Sequence, residues 1–179
     1  MKYVLVGLGN PGEEYEWTRH NTGRLAVSAF ADKSDLAGKV KVIVPDTFMN
    51  LSGKAVKGVI KSKKEAEGLV VVRDDLDMPL GRVKMTFNRG TGGHKGVESI
   101  KRAVGTEGFI QIKIGISPAT PKGKIKKISG DDKVQKLILG DFKPAEKLVL
   151  KKAFKKINEG LEILIKDGRE AAMNFLNTQ

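Results

Sequence analysis

The fold is decided by residues 2–23, KYVLVGLGNPGEEYEWTRHNTG. The apolar, β-branched run from Tyr3 to Val6 predicts a short strand buried on both faces. Three glycines and Pro11 then predict an irregular loop after the strand. That loop carries a dense set of polar side chains: Asn10, Tyr15, Arg19, His20 and Asn21. Because ligands bind at the carboxyl ends of strands in open α/β sheets, this loop is the first candidate for a functional site.

The remainder of the chain alternates strand and helix patterns. Apolar runs predict four further strands, over residues 39–44, 68–72, 83–87 and 109–116. Helical spacing predicts helices over residues 21–33, from after Asn50 to Lys63, after Gly96, and from Pro144 to Gly168, with a short helix at the end. Between strands, Asp74, Asp75 and Asp77 follow a buried run; for Asp75 and Asp77 an acidic turn is the favoured interpretation, and a metal or charge-tuning site is the alternative.

Composition places the chain among ordinary globular proteins. Its 179 residues are 40% apolar and 30% charged, so we expect one domain, residues 1–179. No apolar run reaches eighteen residues and no signal-peptide pattern opens the chain, which favours a cytoplasmic protein without a membrane segment. The chain has no cysteine, which excludes thiolate catalysis, and two histidines without an HExxH motif disfavour a metal site.

Net charge is the strongest bulk signal. The formal charge of +12 favours a polyanionic partner such as a nucleic acid, although a merely solvated basic protein is the alternative. Aromatic residues make up only 6%, so phosphate and shape contacts are expected rather than base stacking. A Lys-rich loop, residues 118–130, is a candidate phosphate-contacting flap or simply a solvated run. Its lysines are Lys122, Lys124, Lys126 and Lys127.

Two familiar enzyme motifs do not fit. The glycines at 7, 9 and 12 formally match the dinucleotide fingerprint, but Pro11 lies inside the loop and no acidic residue ends a second strand at the required distance. No G-x-S-x-G or S-x-x-K motif occurs, which disfavours a covalent serine enzyme. Water is therefore the expected nucleophile.

The surviving constellation is His20 with a carboxylate and amides. A histidine near its intrinsic pKa can take a proton from water, and a carboxylate can hold its tautomer. Asparagine amides can stabilise a developing oxyanion without competing for the proton. Asn10, Asn50 and Asp74 each follow a predicted strand, so they converge on His20 if those strands are parallel neighbours.

Three motifs resemble the bacterial-type peptidyl-tRNA hydrolase family in order and approximate spacing. They are residues 7–23, residues 45–56 (PDTFMNLSGKAV), and residues 74–81 (DDLDMPLG) followed by 90–96 (GTGGHKG). The resemblance implies a single α/β domain with a twisted, mixed, largely parallel sheet flanked by helices. It also implies hydrolysis of the ester between a peptide and the 3′ end of tRNA, so the expected partner is peptidyl-tRNA. No cofactor or metal is implied, and we expect a monomer.

The resemblance also implies residue roles. His20 is similar to the family's base and Asp74 to the residue that orients it, while Asn10 and Asn50 resemble amides that position the substrate and steady the intermediate. Tyr15 and Met49 resemble residues that line the cleft. Lys84 and Lys113 match basic positions associated with tRNA phosphates.

Two departures from the family pattern matter. Lys95 stands where the family usually has Asn, and an ammonium group can donate but not accept a hydrogen bond. It could bind substrate phosphate or slow the chemistry, so a non-catalytic RNA-binding member of the same fold is the alternative hypothesis. Residues 34–39 are shorter than expected, which puts one wall of the cleft or an edge of the sheet in question.

Overall fold

A computed structural model describes residues 3–120, 123–125 and 128–178. Its centre is a five-stranded sheet in the order β2-β1-β3-β5-β4. The strands are β1 (Val4–Gly7), β2 (Lys41–Ile43), β3 (Leu69–Pro79), β4 (Val83–Phe87) and β5 (Ile110–Ser117). Neighbouring strands are parallel except β4, which pairs antiparallel with β5. The predicted mixed, largely parallel sheet is confirmed.

Helices cover both faces of the sheet. They are α1 (Thr22–Lys33), α2 (Gly53–Lys57), α3 (Lys63–Ala66), α4 (Lys95–Val104), α5 (Asp131–Ile138), α6 (Pro144–Asp167) and α7 (Arg169–Asn177). One core lies between the sheet and α1, α6 and α7. The other lies between the sheet and α2, α3 and α4. Parallel strands covered on both faces must be apolar on both, and β1 is buried throughout, as predicted.

The alternation of β5 assigns its side chains to the two faces. Ile112 and Ile114 are buried in the core beside α6. Since successive side chains of a strand point to opposite faces, Gln111 and Lys113 point to the other side. The same rule applies to β4, where Val83 and Met85 are buried beside α6 and Lys84 is exposed on the opposite face.

Two predictions about elements were wrong, and one helix was missed. The helix expected to reach Lys63 ends at Lys57, and a second short helix begins after Ser62, whose hydroxyl accepts a hydrogen bond from the amide of Glu65. The acidic residues do not form a turn: β3 continues through them to Pro79 because Asp74 and Asp75 pair with β5, with a register shift beyond Asp75. Helix α5 was not predicted at all; none of its side chains is buried.

The Lys-rich loop, residues 118–130, and the short segment 34–39 can be placed in part. Lys124 is exposed, whereas Lys122, Lys126 and Lys127 lie outside the described residues, so the flap stays a prediction. Between α1 and β2 the chain makes only a short 3-10 turn, Ala37–Lys39.

Within the described ranges, no helix combines the length and apolar character needed to cross a bilayer.

Candidate active site

A cleft of about 870 Å³ opens where β1 and β3 end and α4 begins. Its polar lining includes Asn10, His20, Asp74 and His94, and its rim includes Tyr15, Asn50 and Lys95. Parallel strands bring their carboxyl ends to one edge of the sheet. The structure therefore brings together the site residues predicted from separate segments, with Lys84 and Lys113 as the exceptions.

His20 is held against β3 by a tight local packing. It lies in a short 3-10 turn, Arg19–Asn21, that leads directly into α1. The turn can approach β3 closely because Gly23 has no side chain: a Cβ there would lie 2.1 Å from the carbonyl oxygen of Val72. Nδ1 of His20 is 3.0 Å from both carboxylate oxygens of Asp74. This contact fixes the ring and makes Nε2 the nitrogen available to a substrate.

A second imidazole bonds to the same carboxylate. Nε2 of His94 is 2.9 Å from Oδ1 of Asp74. Nδ1 of His94 accepts hydrogen bonds from the amides of Gly96 and Val97 in the first turn of α4, at 3.2 and 3.4 Å. Because Nδ1 is an acceptor, Nε2 must carry the proton, and its N–H group donates a hydrogen bond to Asp74. Burial lowers the pKa of His94 despite the nearby carboxylate, so the ring is neutral.

Asp74 stays ionised although it is fully buried. Burial alone would raise its pKa, but electrostatic attraction to the two imidazoles and the hydrogen bonds from them outweigh burial and hold the pKa well below its usual range. Nη1 of Arg73 also donates to the backbone carbonyl of Asp74 at 2.7 Å. Asp74 is therefore a permanent anion that fixes the orientation of His20.

Asn10 is positioned by backbone contacts on both sides. Its own amide donates to Oδ1 of Asn21 at 2.8 Å, and its carbonyl accepts from Nδ2 of Asn21 at 2.9 Å. Its side-chain oxygen accepts from the amide of Met49 at 2.8 Å. With Oδ1 engaged in this way, the Nδ2 group is the donor that Asn10 can offer to a ligand in the cleft.

The other predicted cleft residues differ in exposure. Met49 is buried and forms the floor where the second core meets the cleft. Asn50 is exposed on the rim. Tyr15 is half-buried, and its ring meets Phe48 edge-on at a centroid distance of 6.2 Å. Tyr15 and Phe48 together make an aromatic wall beside the amides.

The three predicted lysines are not equivalent. Lys95 is exposed on the rim of the cleft at the first position of α4. Lys84 and Lys113 lie outside the cleft lining and face each other across β4 and β5. Burial lowers the pKa of Lys113, as do the charges of Arg73 and Lys84, and Asp75 at 3.8 Å partly compensates. Like charges directly opposite each other on a sheet are destabilising, so this pair favours an anionic ligand.

Sequence reasoning missed His94 as a site residue and missed the apolar wall of the cleft. The wall is formed by one side of α5 with Phe48 and Leu51; its α5 residues are Val134 and Ile138, followed by Leu139. In the sequence, the only signal of that wall is the spacing of four residues between Val134 and Ile138 in an otherwise polar segment. For His94, the signal is a histidine directly before a helix in a glycine-rich loop.

Among the described residues, His20, Asp74 and His94 form a group with three potential metal ligands. Each imidazole, however, directs a protonated nitrogen at Asp74, and the Nδ1 atom of His94 is already occupied by helix amides. A metal would have to displace both hydrogen bonds to the carboxylate. The donor set fits a hydrogen-bonded network better than a metal centre, and the lack of a metal stays a prediction.

Comparisons with known proteins agree with the motifs. The family model for peptidyl-tRNA hydrolase matches residues 4–179. A peptidyl-tRNA hydrolase from Thermodesulfovibrio yellowstonii is 38% identical over 193 residues, covering 97% of this chain and 98% of that protein. One from Caldicellulosiruptor saccharolyticus is 40% identical over 195 residues, covering 99% and 97%. The crystal structure of peptidyl-tRNA hydrolase from Acinetobacter baumannii superposes with a TM-score of 0.82 at 28% identity, covering 99% of this chain and 95% of that one. The chain belongs to the peptidyl-tRNA hydrolase family.

Proposed function

We propose that the protein hydrolyses the ester that links a peptide to the 3′ ribose of tRNA. The observation that carries this proposal is the contact of His20 Nδ1 with both oxygens of Asp74 at 3.0 Å, in a cleft lined by asparagine amides. The names of the relatives support the choice of substrate. The proposal includes a cytoplasmic location, where peptidyl-tRNA arises, and treats residues 1–179 as one functional unit that acts as a monomer.

In this proposal His20 is the general base. Nε2 removes a proton from a water molecule as the water oxygen attacks the ester carbonyl, and Asp74 stabilises the imidazolium that forms. The Nδ2 groups of Asn10 and Asn50 donate hydrogen bonds to the substrate and to the developing oxyanion. When the tetrahedral intermediate collapses, the C–O bond to the ribose breaks and His20 returns its proton to the 3′ oxygen. The products are a free peptide and deacylated tRNA.

The remaining predicted residues would hold the two ends of the substrate. Tyr15 and Met49 line the part of the cleft where an acyl group would bind, next to the apolar wall from α5. Lys84 and Lys113 present two ammonium groups on one face of the sheet, where the phosphate backbone would neutralise their mutual repulsion. Lys95, on the rim, is the cation nearest in sequence to His94 and would contact the acylated end of the tRNA.

The test is release of peptide from an N-blocked aminoacyl-tRNA. We expect turnover by the wild type and a loss of kcat of about 10²- to 10⁴-fold in His20→Ala, since removing a general base costs about that much. Lys64→Ala, an exposed position on α3, is the control and should match the wild type. If wild type and His20→Ala are equally inert while both still bind tRNA, the enzymatic proposal is wrong.

A second candidate is a non-catalytic RNA-binding protein with the same fold. Lys95 on the rim of the cleft favours it, because an ammonium there cannot accept the hydrogen bonds that an amide would. Both candidates predict salt-sensitive RNA binding, so affinity does not separate them. Peptide release by the wild type does.

A further inference from the structure

The first half of α6 carries a concentration of positive charge. Residues 147–156, KLVLKKAFKK, contain five lysines and no acidic residue. Lys151, Lys152 and Lys155 are exposed, and in the described part of the chain none of the three pairs with a carboxylate. Positions three and four residues apart lie on one side of a helix. These lysines therefore form a stripe of unneutralised ammonium groups along the solvent side of α6.

The same stripe exposes large apolar side chains. Among the described residues, six large hydrophobic side chains are exposed, and three of them line the cleft. Of the other three, Leu148 and Val149 lie at the start of α6 and are 62% and 41% exposed, and Trp17, in the loop before His20, is 38% exposed. Nζ of Lys147 lies 3.8 Å from the centroid of the Trp17 ring, which places Trp17 against the first turn of the helix. We define the α6 basic surface as Trp17, Lys147, Leu148, Lys151, Lys152 and Lys155.

The α6 basic surface is joined directly to the turn that carries His20, Arg19–Asn21, which we call the catalytic turn. Arg19 precedes His20, and its Nη2 atom donates to both carboxylate oxygens of Glu146 in the first turn of α6, at 2.9 and 2.8 Å. With a rise of about 1.5 Å per residue, the exposed lysines begin about 8 Å along the helix from Glu146 and end near 14 Å. A polyanion whose acylated end reaches His20 therefore passes within range of the stripe.

The surface is also continuous with the pair formed by Lys84 and Lys113. Val149 covers the turn between β3 and β4, since a Cβ on Gly81 would lie 2.4 Å from its Cγ1. Arg82 is exposed in that turn, and Lys84 follows on the opposite face of the sheet. Positive charge therefore extends from α6, around the turn, to the face that carries Lys113.

We propose that the α6 basic surface binds the phosphate backbone of the helical stem of the tRNA substrate, so that the stem lies across the turn between β3 and β4. The proposal rests on the proposed function for the identity of the RNA. Double-stranded RNA is recognised largely through phosphates and through its wide, shallow minor groove. Lysines one helical turn apart can contact phosphates of the RNA backbone, and the exposed Leu148 can pack on the ribose faces of that groove.

The deciding comparison uses a triple variant, Lys151→Glu, Lys152→Glu and Lys155→Glu. Its matched control is Lys57→Glu, Lys61→Glu and Lys64→Glu, three exposed positions next to α2 and α3 on the other face of the sheet, with the same change in net charge. For full-length N-blocked aminoacyl-tRNA we expect the α6 variant to raise KM at least about tenfold, with kcat retained. For the same acyl ester on a CCA trinucleotide, which has no stem, we expect wild-type kcat/KM.

The salt dependence of binding to deacylated tRNA gives a readout that needs no hydrolysis. Three lost phosphate contacts should reduce the slope of log K against log salt by about 2 to 3 units in the α6 variant and leave the control unchanged. If charge reversal prevents folding, the corresponding triple Lys→Gln variant should show the same direction. Reduced tRNA binding in a protein that hydrolyses neither substrate would refute the proposed function and leave the surface assignment standing.

Three outcomes would overturn the proposal. One is an unchanged KM for full-length tRNA in the α6 variant. Another is an equal loss in the control variant, which would mean a general effect of net charge. The third is wild-type binding to phosphatidylglycerol vesicles that the α6 variant loses while its tRNA binding is retained, which would assign the surface to an anionic membrane.

Discussion

At the scale of single residues, one carboxylate serves two imidazoles. Asp74 accepts from Nδ1 of His20 and from Nε2 of His94, and the two rings lie 5.0 Å apart between centroids. The two histidines differ in what holds their other nitrogen: helix amides bond to His94, whereas Nε2 of His20 is left for the cleft. His94 therefore fixes the carboxylate of Asp74, and that carboxylate fixes the ring of His20.

Asp74→Asn tests this assignment. The amide removes the negative charge that stabilises the imidazolium and places an N–H group where two donors converge, so we expect kcat to fall by about 10²- to 10⁴-fold. Affinity for deacylated tRNA should stay within about threefold of wild type, because the side chain of Asp74 is buried and is not available to contact phosphates. Normal turnover combined with a large loss of tRNA affinity would contradict the role given to Asp74.

Lys95 is one of the two places at which this sequence departs from the expected family pattern. A cation at the first position of a helix opposes the helix dipole, which costs about 0.3–1 kcal/mol and needs compensation or a function. Lys95→Asn restores an amide that can both donate and accept, so we expect kcat/KM on N-blocked aminoacyl-tRNA to be retained or raised. A collapse of kcat/KM in Lys95→Asn would show that the ammonium group itself takes part in the reaction.

At the scale of elements, α6 and the catalytic turn are joined by a buried network. Nη2 of Arg19 binds Glu146, Nη1 donates to the carbonyl of Ile116 at the end of β5, and the guanidinium lies 4.8 Å from the Phe142 ring centroid. The backbone adds a bridge between Thr18 and Asp141. Since His20 follows Arg19 directly, the position of this proposed base depends on the start of α6.

Glu146→Gln should expose this dependence. It leaves the buried guanidinium without its counter-charge, which costs about 3 kcal/mol of unfolding free energy, measured by urea denaturation. We expect kcat to fall while KM for tRNA changes little, because the base moves and the exposed lysines do not. The double variant Arg19→Met, Glu146→Leu should regain part of the stability, as no buried charge is left unpaired. A double variant less stable than Glu146→Gln would contradict this explanation.

At the scale of the whole molecule, charge is distributed unevenly. Exposed basic side chains lie on α6, on the turn between β3 and β4, at Lys84, and around α2 and α3, while the acidic side chains Asp75 and Asp77 line the cleft together with Arg73 and Lys95. Such an arrangement draws a polyanion to the basic outer surface of the molecule. Folding, in turn, requires that a neutral histidine and an ionised aspartate be buried together.

Stability should therefore depend on pH through His94. Its pKa is lower in the folded protein than its ordinary value of 6.5, so below about pH 6.5 the unfolded chain binds a proton that the folded chain does not. The free energy of unfolding should fall as pH decreases through this window, with His94 contributing up to about 1.4 kcal/mol per pH unit. In His94→Gln, urea denaturation between pH 8 and 5 should give a shallower decline, and an identical slope would mean that His94 has the same pKa in the folded and unfolded states.

Much of the fold and of the candidate site could be predicted from the sequence because the signals are local. The β-branched run at Tyr3–Val6 predicts a buried strand wherever it lies, and Pro144 with its apolar spacing predicts α6. The three motifs place His20, Asp74, Asn10 and Asn50 in one family pattern, and the structure brings all four to one cleft. The acidic segment misled the prediction because a strand paired on one side by β5 can continue through charges that in isolation indicate a turn.

The sequence by itself determined the class of fold and indicated the candidate site residues, because hydrophobic periodicity and short motifs are properties of neighbouring residues. Only the tertiary structure decided that His94 shares the carboxylate of Asp74, that α5 walls the cleft, and that Arg19 is held by Glu146, 127 residues away in the chain. These contacts join segments whose separation in sequence carries no local signal. They exist because packing on a common sheet brings the ends of its strands and helices to one place.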